Sequence, residues 1–431
     1  MKYYSLNRNA PEATFREAVI KGIAPDKGLY FPVSLKPLAN GIFENITQLS
    51  EEEIGFLLIN QFLNGEIPDE ELKKIIKDTL CFDFPLVNIF PDVYSLELYH
   101  GPTMAFKDVG ARFMARCLSY FNQHEKEEVT VLVATSGDTG GAVASGFLGV
   151  EGVKVVILYP SKKVSEVQEK QLTTLGQNIT ALEVNGTFDD CQAMVKNAFM
   201  DHEINDSMKL TSANSINVAR WLPQMFYFAF AYRQLEDKIK KLAVAVPSGN
   251  FGNICAGMMA RKLGLPIDHF IASTNSNKVV PDYLETGNYI PAKSVQTISN
   301  AMDVGDPSNF IRIQQIYGNE FGLIRKNLSS YFFSDDQTRN AMKFVFEKTG
   351  YILDPHGAIG YLGLESFRKD KPDWQGIFLE TAHPVKFLEV IEPVIKQKID
   401  YPPQILEVIN KTKKSLKISE YNELREYLLN S

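Results

Sequence analysis

Cysteine is scarce in this chain. The four present (Cys81, Cys117, Cys191, Cys255) are scattered, with no CxxC pair and no neighbouring histidines at ligand spacing. That excludes a zinc ribbon or a disulfide framework, predicts no metal centre, and fits free thiols in a reducing compartment. No apolar run approaches the roughly eighteen residues a membrane span requires, and the opening MKYYSLNRNAPEATF lacks the apolar core of a secretory leader. Positive charge is in deficit as well: 45 Lys and Arg against 52 Asp and Glu give a formal net charge of -7. The expectation is therefore a cytoplasmic protein with no nucleic-acid partner and no membrane surface, although a local cationic pocket for an anionic substrate stays open. Neither GxxxxGK[ST] nor GxGxxG occurs, which argues against an NTPase and against a nicotinamide dehydrogenase. Neither His356 nor His383 has a serine or cysteine partner in a hydrolase-like arrangement, so both read as structural.

What the chain does contain is a change of grammar. At 431 residues, 45% hydrophobic and 23% charged, it is long enough for two or three soluble domains. Residues 1–94 carry helical periodicity at 12–23, 51–63 and 69–80, a short extended GLYFP at 28–32, and a linker bracketed by Pro85 and Pro91. From residue 95 onward short β-branched strands alternate with Gly-rich turns and helices: 128–134, 153–159, 179–184, 242–247 and 269–274 read as strands, and 350–384 repeats the pattern. Thr187 with Asp190 makes a capping box. Such alternation predicts an α/β fold, a largely parallel sheet with helices on both faces. The tail from 399 reads as helical and mixed in charge.

Five stretches carry chemistry. SLELYHGPTMAFKDVGAR (95–112) runs from a strand into a helix whose opening turn holds Lys107. A long amine at a strand-to-helix turn can form a Schiff base with an aldehyde cofactor, or it can be one more solvated lysine. SGDTGG (136–141) leaves backbone N–H groups uncovered at a helix start, with hydroxyls on Thr135, Ser136 and Thr139; the plain alternative is a capped turn without a ligand. Asp138 opposes an anion there unless it caps N–H groups or meets a protonated ligand atom. PSGNFGN (247–253) repeats that geometry with Gly249 and Gly252, and Ser248, Asn250 and Asn253 add donors, a loop sized for a phosphate monoester. In TSANSINVAR (211–220), Asn214, Ser215 and Asn217 can position an anion and Arg220 can clamp one bidentately, or the arginine merely snorkels. ETAHP (380–384) ends a strand at Thr381, whose hydroxyl either faces a pyridine nitrogen or caps the next helix.

HGPTMAFKD, ATSGDTGGAVA, NSINVAR, PSGNFGN and TAHP, in this order and spacing, resemble the threonine synthase family in the branch carrying an extra N-terminal domain. The resemblance runs from GLYFP to TAHP. It implies the tryptophan-synthase-β-like fold (fold type II) with pyridoxal 5'-phosphate as cofactor. It also implies conversion of O-phospho-L-homoserine and water to L-threonine and phosphate, a carbon-oxygen lyase reaction of amino-acid biosynthesis. It would make Lys107 the Schiff-base lysine and Ser248, Gly249, Asn250, Phe251, Gly252 and Asn253 the cradle of the cofactor phosphate. Thr381 would meet the pyridine nitrogen, with Asp138 near the cofactor's 3′ oxygen. Thr135, Ser136 and Thr139 would face the substrate carboxylate, and Ser215, Asn217 and Arg220 its phosphate. The implied domains are a mostly helical one at 1-94, a large cofactor-binding lobe at 95-112 and 211-398, a smaller mobile lobe at 113-210, and a helical tail at 399-431. A phospholyase that releases a 2-oxo acid and ammonia, and a catalytically silent binding protein, are the open alternatives. The sequence sets no oligomeric state.

Overall fold

The computed structural model describes residues 1–123 and 127–430; residues 124–126 of the expected smaller lobe and Ser431 of the tail lie outside the described residues. Two sheets organise the molecule. The larger has six strands in the order Leu328–Phe332, His269–Thr274, Leu242–Pro247, Gln375–Glu380, Val93–Glu97 and Leu86–Phe90. Its first five strands are parallel and the last runs antiparallel. The smaller sheet is all parallel, in the order Leu416–Ile418, Ile179–Val184, Val153–Pro160, Val129–Ala134 and Lys209–Ser212. Its inner strand VTVLVA is buried at every residue, as expected where helices cover both faces and no polar alternation is needed.

Helix Lys107–Asn122 joins the two halves. Val109, Phe113, Met114, Cys117, Leu118 and Phe121 recur at helical spacing and are all buried. They share one continuous core with Phe15, Phe62 and Ile76 of the N-terminal helices and with Trp221 and Phe226 further on. The N-terminal helices Phe15–Lys21 and Glu51–Leu63 begin in capping boxes at Thr14 and Ser50. An antiparallel ribbon, Tyr3–Ser5 with Tyr30–Pro32, closes that end.

Three expectations need correction. The bracketed linker at 85–91 is the edge strand Leu86–Phe90, paired with Val93–Glu97 through a turn in which Asp92 takes φ 60. The prolines flank the strand instead of interrupting it, and flanking positions need no ladder donor from them. GYILDPHG holds no strand: Asp354 caps helix Pro355–Arg368 by accepting from the N–H of His356 at 2.7 Å, with Pro355 in the first turn. The tail is not purely helical, since Leu416–Ile418 adds a strand beside Ile179–Val184 and Lys413 pairs with Glu183 at 2.8 Å.

Candidate active site

Every stretch singled out above lies just beyond the C-terminal end of a parallel strand, the edge where open α/β sheets hold ligands. Strand Val93–Glu97 leads to Lys107, Val129–Ala134 to Ser136, Lys209–Ser212 to Arg220, Leu242–Pro247 to Ser248, and Gln375–Glu380 to Thr381. Strand Gln375–Glu380 lies between Val93–Glu97 and Leu242–Pro247, so the Thr381 loop emerges between the lysine turn and the Ser248 loop.

The lysine turn is held by backbone. Phe106 N–H donates to the Thr381 carbonyl at 2.9 Å, and His383 N–H donates to the Met104 carbonyl at 3.1 Å. Ala105 and Ala382 form an antiparallel bridge there, and the Tyr227 hydroxyl donates to the Phe106 carbonyl. Met104 takes φ 57 to make the bend, and Asp108 closes it from within by accepting the Thr103 N–H at 2.9 Å. Lys107 opens the helix and is half-buried. Desolvation by the surrounding protein holds its amine below the ordinary lysine pKa; Asp138 opposes that shift, while Lys386 and Arg220 add to it.

The Ser248–Asn253 loop has the features of an anion cradle. Among the described residues no group accepts the N–H of Gly249, Asn250, Phe251 or Gly252. Both amide atoms of buried Asn253 lack a partner. Phe251 turns the chain at φ 58 into helix Gly252–Lys262, whose N-terminus adds positive potential. A Cβ on Gly249 would lie 2.7 Å from the Met302 Cα, so only glycine fits against that backbone. Buried donors without partners at a helix N-terminus fit a phosphate group. Ser248 differs, because its hydroxyl donates to the Val246 carbonyl at 2.8 Å.

In the Ser136 loop, Thr135 turns inward, where its oxygen accepts from the N–H of Gly140 at 2.8 Å and of Gly137 at 3.0 Å. That leaves the N–H groups of Ser136, Asp138 and Thr139 without acceptors among the described residues, and both side-chain hydroxyls half-buried. Asp138 accepts from Gln168 Nε2 and from Lys386 Nζ, each at 2.9 Å. Burial by itself would raise the Asp138 carboxyl, but Lys386 and Lys107 outweigh it and hold the group well below the usual carboxylate range. Lys386 was not foreseen. Its one signal in the sequence is a lysine set between Val385 and Phe387 directly after TAHP, a place where a solvated lysine is out of character.

The 211–220 stretch divides its labour. Asn217 is fully engaged in structure: its oxygen caps the helix at Ala219 N–H, and its amide donates to the Val19 and Ser212 carbonyls. Ser215 Oγ accepts from Asn250 Nδ2 at 2.7 Å, which ties this stretch to the phosphate-like cradle. Arg220 is buried, donates through Nη1 to the Ala213 carbonyl, and keeps Nε without a partner. Burial pushes its pKa down to about 10, which leaves it charged at neutral pH. Arg312, also unforeseen, holds the stretch from behind with bonds to the Ile216 carbonyl at 2.6 Å and the Tyr30 carbonyl at 3.1 Å.

Two family models match this chain: a pyridoxal-phosphate dependent enzyme model over residues 88–374 and a threonine synthase N terminus model over residues 2–80. Threonine synthase from Buchnera aphidicola is 42% identical over 433 residues, covering 100% of both chains. That of Escherichia coli is 40% identical over 408 residues, covering 94% of each. Among solved structures, threonine synthase from Escherichia coli superposes with a TM-score of 0.94 at 39% identity, with 100% of both chains covered. The pyridoxal-phosphate-bound threonine synthase from Brucella melitensis gives 0.93 at 33%, covering 100% of this chain and 99% of that one. The two models meet near the first strand of the large sheet, so the helical N-terminal region and the two-sheet body are both accounted for, and the chain belongs to the threonine synthase family of pyridoxal-phosphate-dependent enzymes.

Proposed function

We propose that this chain converts O-phospho-L-homoserine and water to L-threonine and phosphate, with Lys107 as the reacting amine. The observation that carries the reading is one lysine fixed by backbone to Thr381, beside a loop of unclaimed N–H groups at 249–252. Pyridoxal phosphate bound there supplies the electron sink that carbanion chemistry at an amino acid requires. Ser248 to Asn253 would hold its phosphate through backbone N–H groups and the Asn253 amide, and Thr381 would face its ring nitrogen. Lys107 Nζ, with a pKa depressed by desolvation, is more often neutral at working pH than a free lysine and so able to take a proton from the substrate α-carbon and return it. The N–H groups of Ser136, Asp138 and Thr139 would receive the substrate carboxylate at a helix start. Arg220 and Ser215 would orient its phosphate, and Asn217 serves by holding their backbone in place.

The test is product analysis by NMR after incubation of the holoenzyme with O-phospho-L-homoserine. Threonine with stoichiometric phosphate is expected, and Lys107→Ala should abolish both turnover and the visible absorbance of bound cofactor. Release of a 2-oxo acid and ammonia would replace the reading with a phospholyase, and an active Lys107→Ala variant would remove the lysine from its role.

A further inference from the structure

Asp138 sits in the candidate site with two lysines as neighbours. Its Oδ1 is claimed by Lys386 Nζ at 2.9 Å and by Gln168 Nε2 at 2.9 Å. The ion pair is enclosed, with the Lys386 side chain at 0% and the Asp138 side chain at 4% exposure. It also crosses the molecule. Asp138 opens helix Asp138–Phe147 on the smaller sheet, whereas Lys386 belongs to the turn Pro384–Phe387 that follows the larger sheet's strand Gln375–Glu380. The Lys107 amine, by contrast, has no hydrogen-bond partner among the described residues, although Asp138 is the carboxylate whose charge acts on it most. One carboxylate thus acts on two ammonium-forming groups, and its hydrogen bond goes to Lys386.

We propose that Lys386 is a positioning residue for Lys107: by occupying Asp138 in a buried ion pair, it denies the reacting lysine a counterion and leaves that amine free to react. The inference rests on the reading of Lys107 given above. The charged groups facing Lys107 from packed elements are Asp138, Lys386 and Arg220. Asp108, next to it on its own helix, is occupied by Thr103 and pushed upward by burial, so it supplies no ready counterion. Removing the Lys386 charge therefore removes a repulsion from Lys107 and frees an attraction for it, two changes of one sign. Removing the Asp138 charge does the reverse.

The experiment reads Lys107 directly, without substrate or turnover. The full-length chain, stripped of cofactor with hydroxylamine, is trace-labelled with acetic anhydride over a range of pH. Acetylation of Lys107 is then followed by peptide mass spectrometry against exposed Lys196 of the same chain as internal standard. Lys386→Met should move the labelling midpoint of Lys107 upward by about one pH unit, about a tenfold loss of reactivity below the midpoint, and Lys386→Arg should restore the parent profile. An unchanged or lowered midpoint in Lys386→Met, or an equal rise in Lys386→Arg, overturns the proposal. Should Lys386→Met fail to fold, Lys386→Gln decides in its place: a raised midpoint supports the proposal, and an unchanged or lowered one ends it. Absence of threonine formation would sink the functional reading while leaving this titration interpretable.

Discussion

Glu380 precedes Thr381 by one residue and is wholly buried. Its Oε1 accepts the Asp354 N–H at 3.2 Å and its Oε2 has no partner. Burial, with the nearby Asp354 carboxylate, raises its pKa well above the ordinary glutamate value, so the group is protonated where an unfolded chain would ionise it. A folded state that binds the extra proton loses stability as pH rises from the ordinary glutamate range toward the folded value. Glu380→Gln keeps the shape and the acceptor but has no proton to lose. It should flatten that decline and unfold at an equal or higher urea midpoint than the parent at neutral pH; a steeper decline in the variant would show that Glu380 is ionised in place. Residues of this kind were hidden from the sequence for a physical reason. A glutamate at a strand end is an everyday surface residue until the fold sets a second carboxylate and Gly357 against it, where a Cβ would lie 2.2 Å from the Glu380 carboxyl. Lys386 and Arg312 escaped notice in the same way, while Lys107 stands out in the sequence because Gly, Pro and a helix start surround it.

Secondary structure was most legible where local chemistry agrees with tertiary placement. The capping box at Thr187 and Asp190 is present as read, with the Thr187 side chain accepting the Asp190 N–H at 3.2 Å. Helix Asp335–Thr349 has the fuller set: Ser334 and Gln337 in a capping box, Asp335 and Asp336 in the first turn, Lys348 in the last and Gly350 left-handed at its end. Ser334→Ala should cost about 1 kcal/mol of stability in urea unfolding, with cofactor absorbance unchanged because the Ser334 side chain bonds to its own helix at Gln337 N–H and to none of the five loops among the described residues. A loss of cofactor together with stability would mean that this helix end is coupled to the site. Edge strands were the least legible. Leu328–Phe332 was not anticipated, because a strand with one neighbour needs few buried residues, and only Leu328 is buried in it.

The final segment shows how the two sheets depend on distant sequence. Ile405, Ile418, Leu424 and Leu428 are buried, the last three against Leu182, Val184, Met194 and Val195 of the smaller sheet and its helix. Buried aliphatic side chains contribute about 1.5–3 kcal/mol each, so a chain cut after residue 398 should melt several degrees lower and scatter light on heating. It would also expose the edge of strand Ile179–Val184 as a pairing template. Unchanged melting and clear solutions would show the tail to be dispensable.

The backbone bonds that clasp residues 104–106 to residues 381–383 carry a consequence for biosynthesis. The lysine is translated well before the segment 381–383 that fixes it. Until residues 381–383 have been made the nascent polypeptide therefore carries an unclasped amine, and its proposed capture of a vitamin-derived partner has to wait for them.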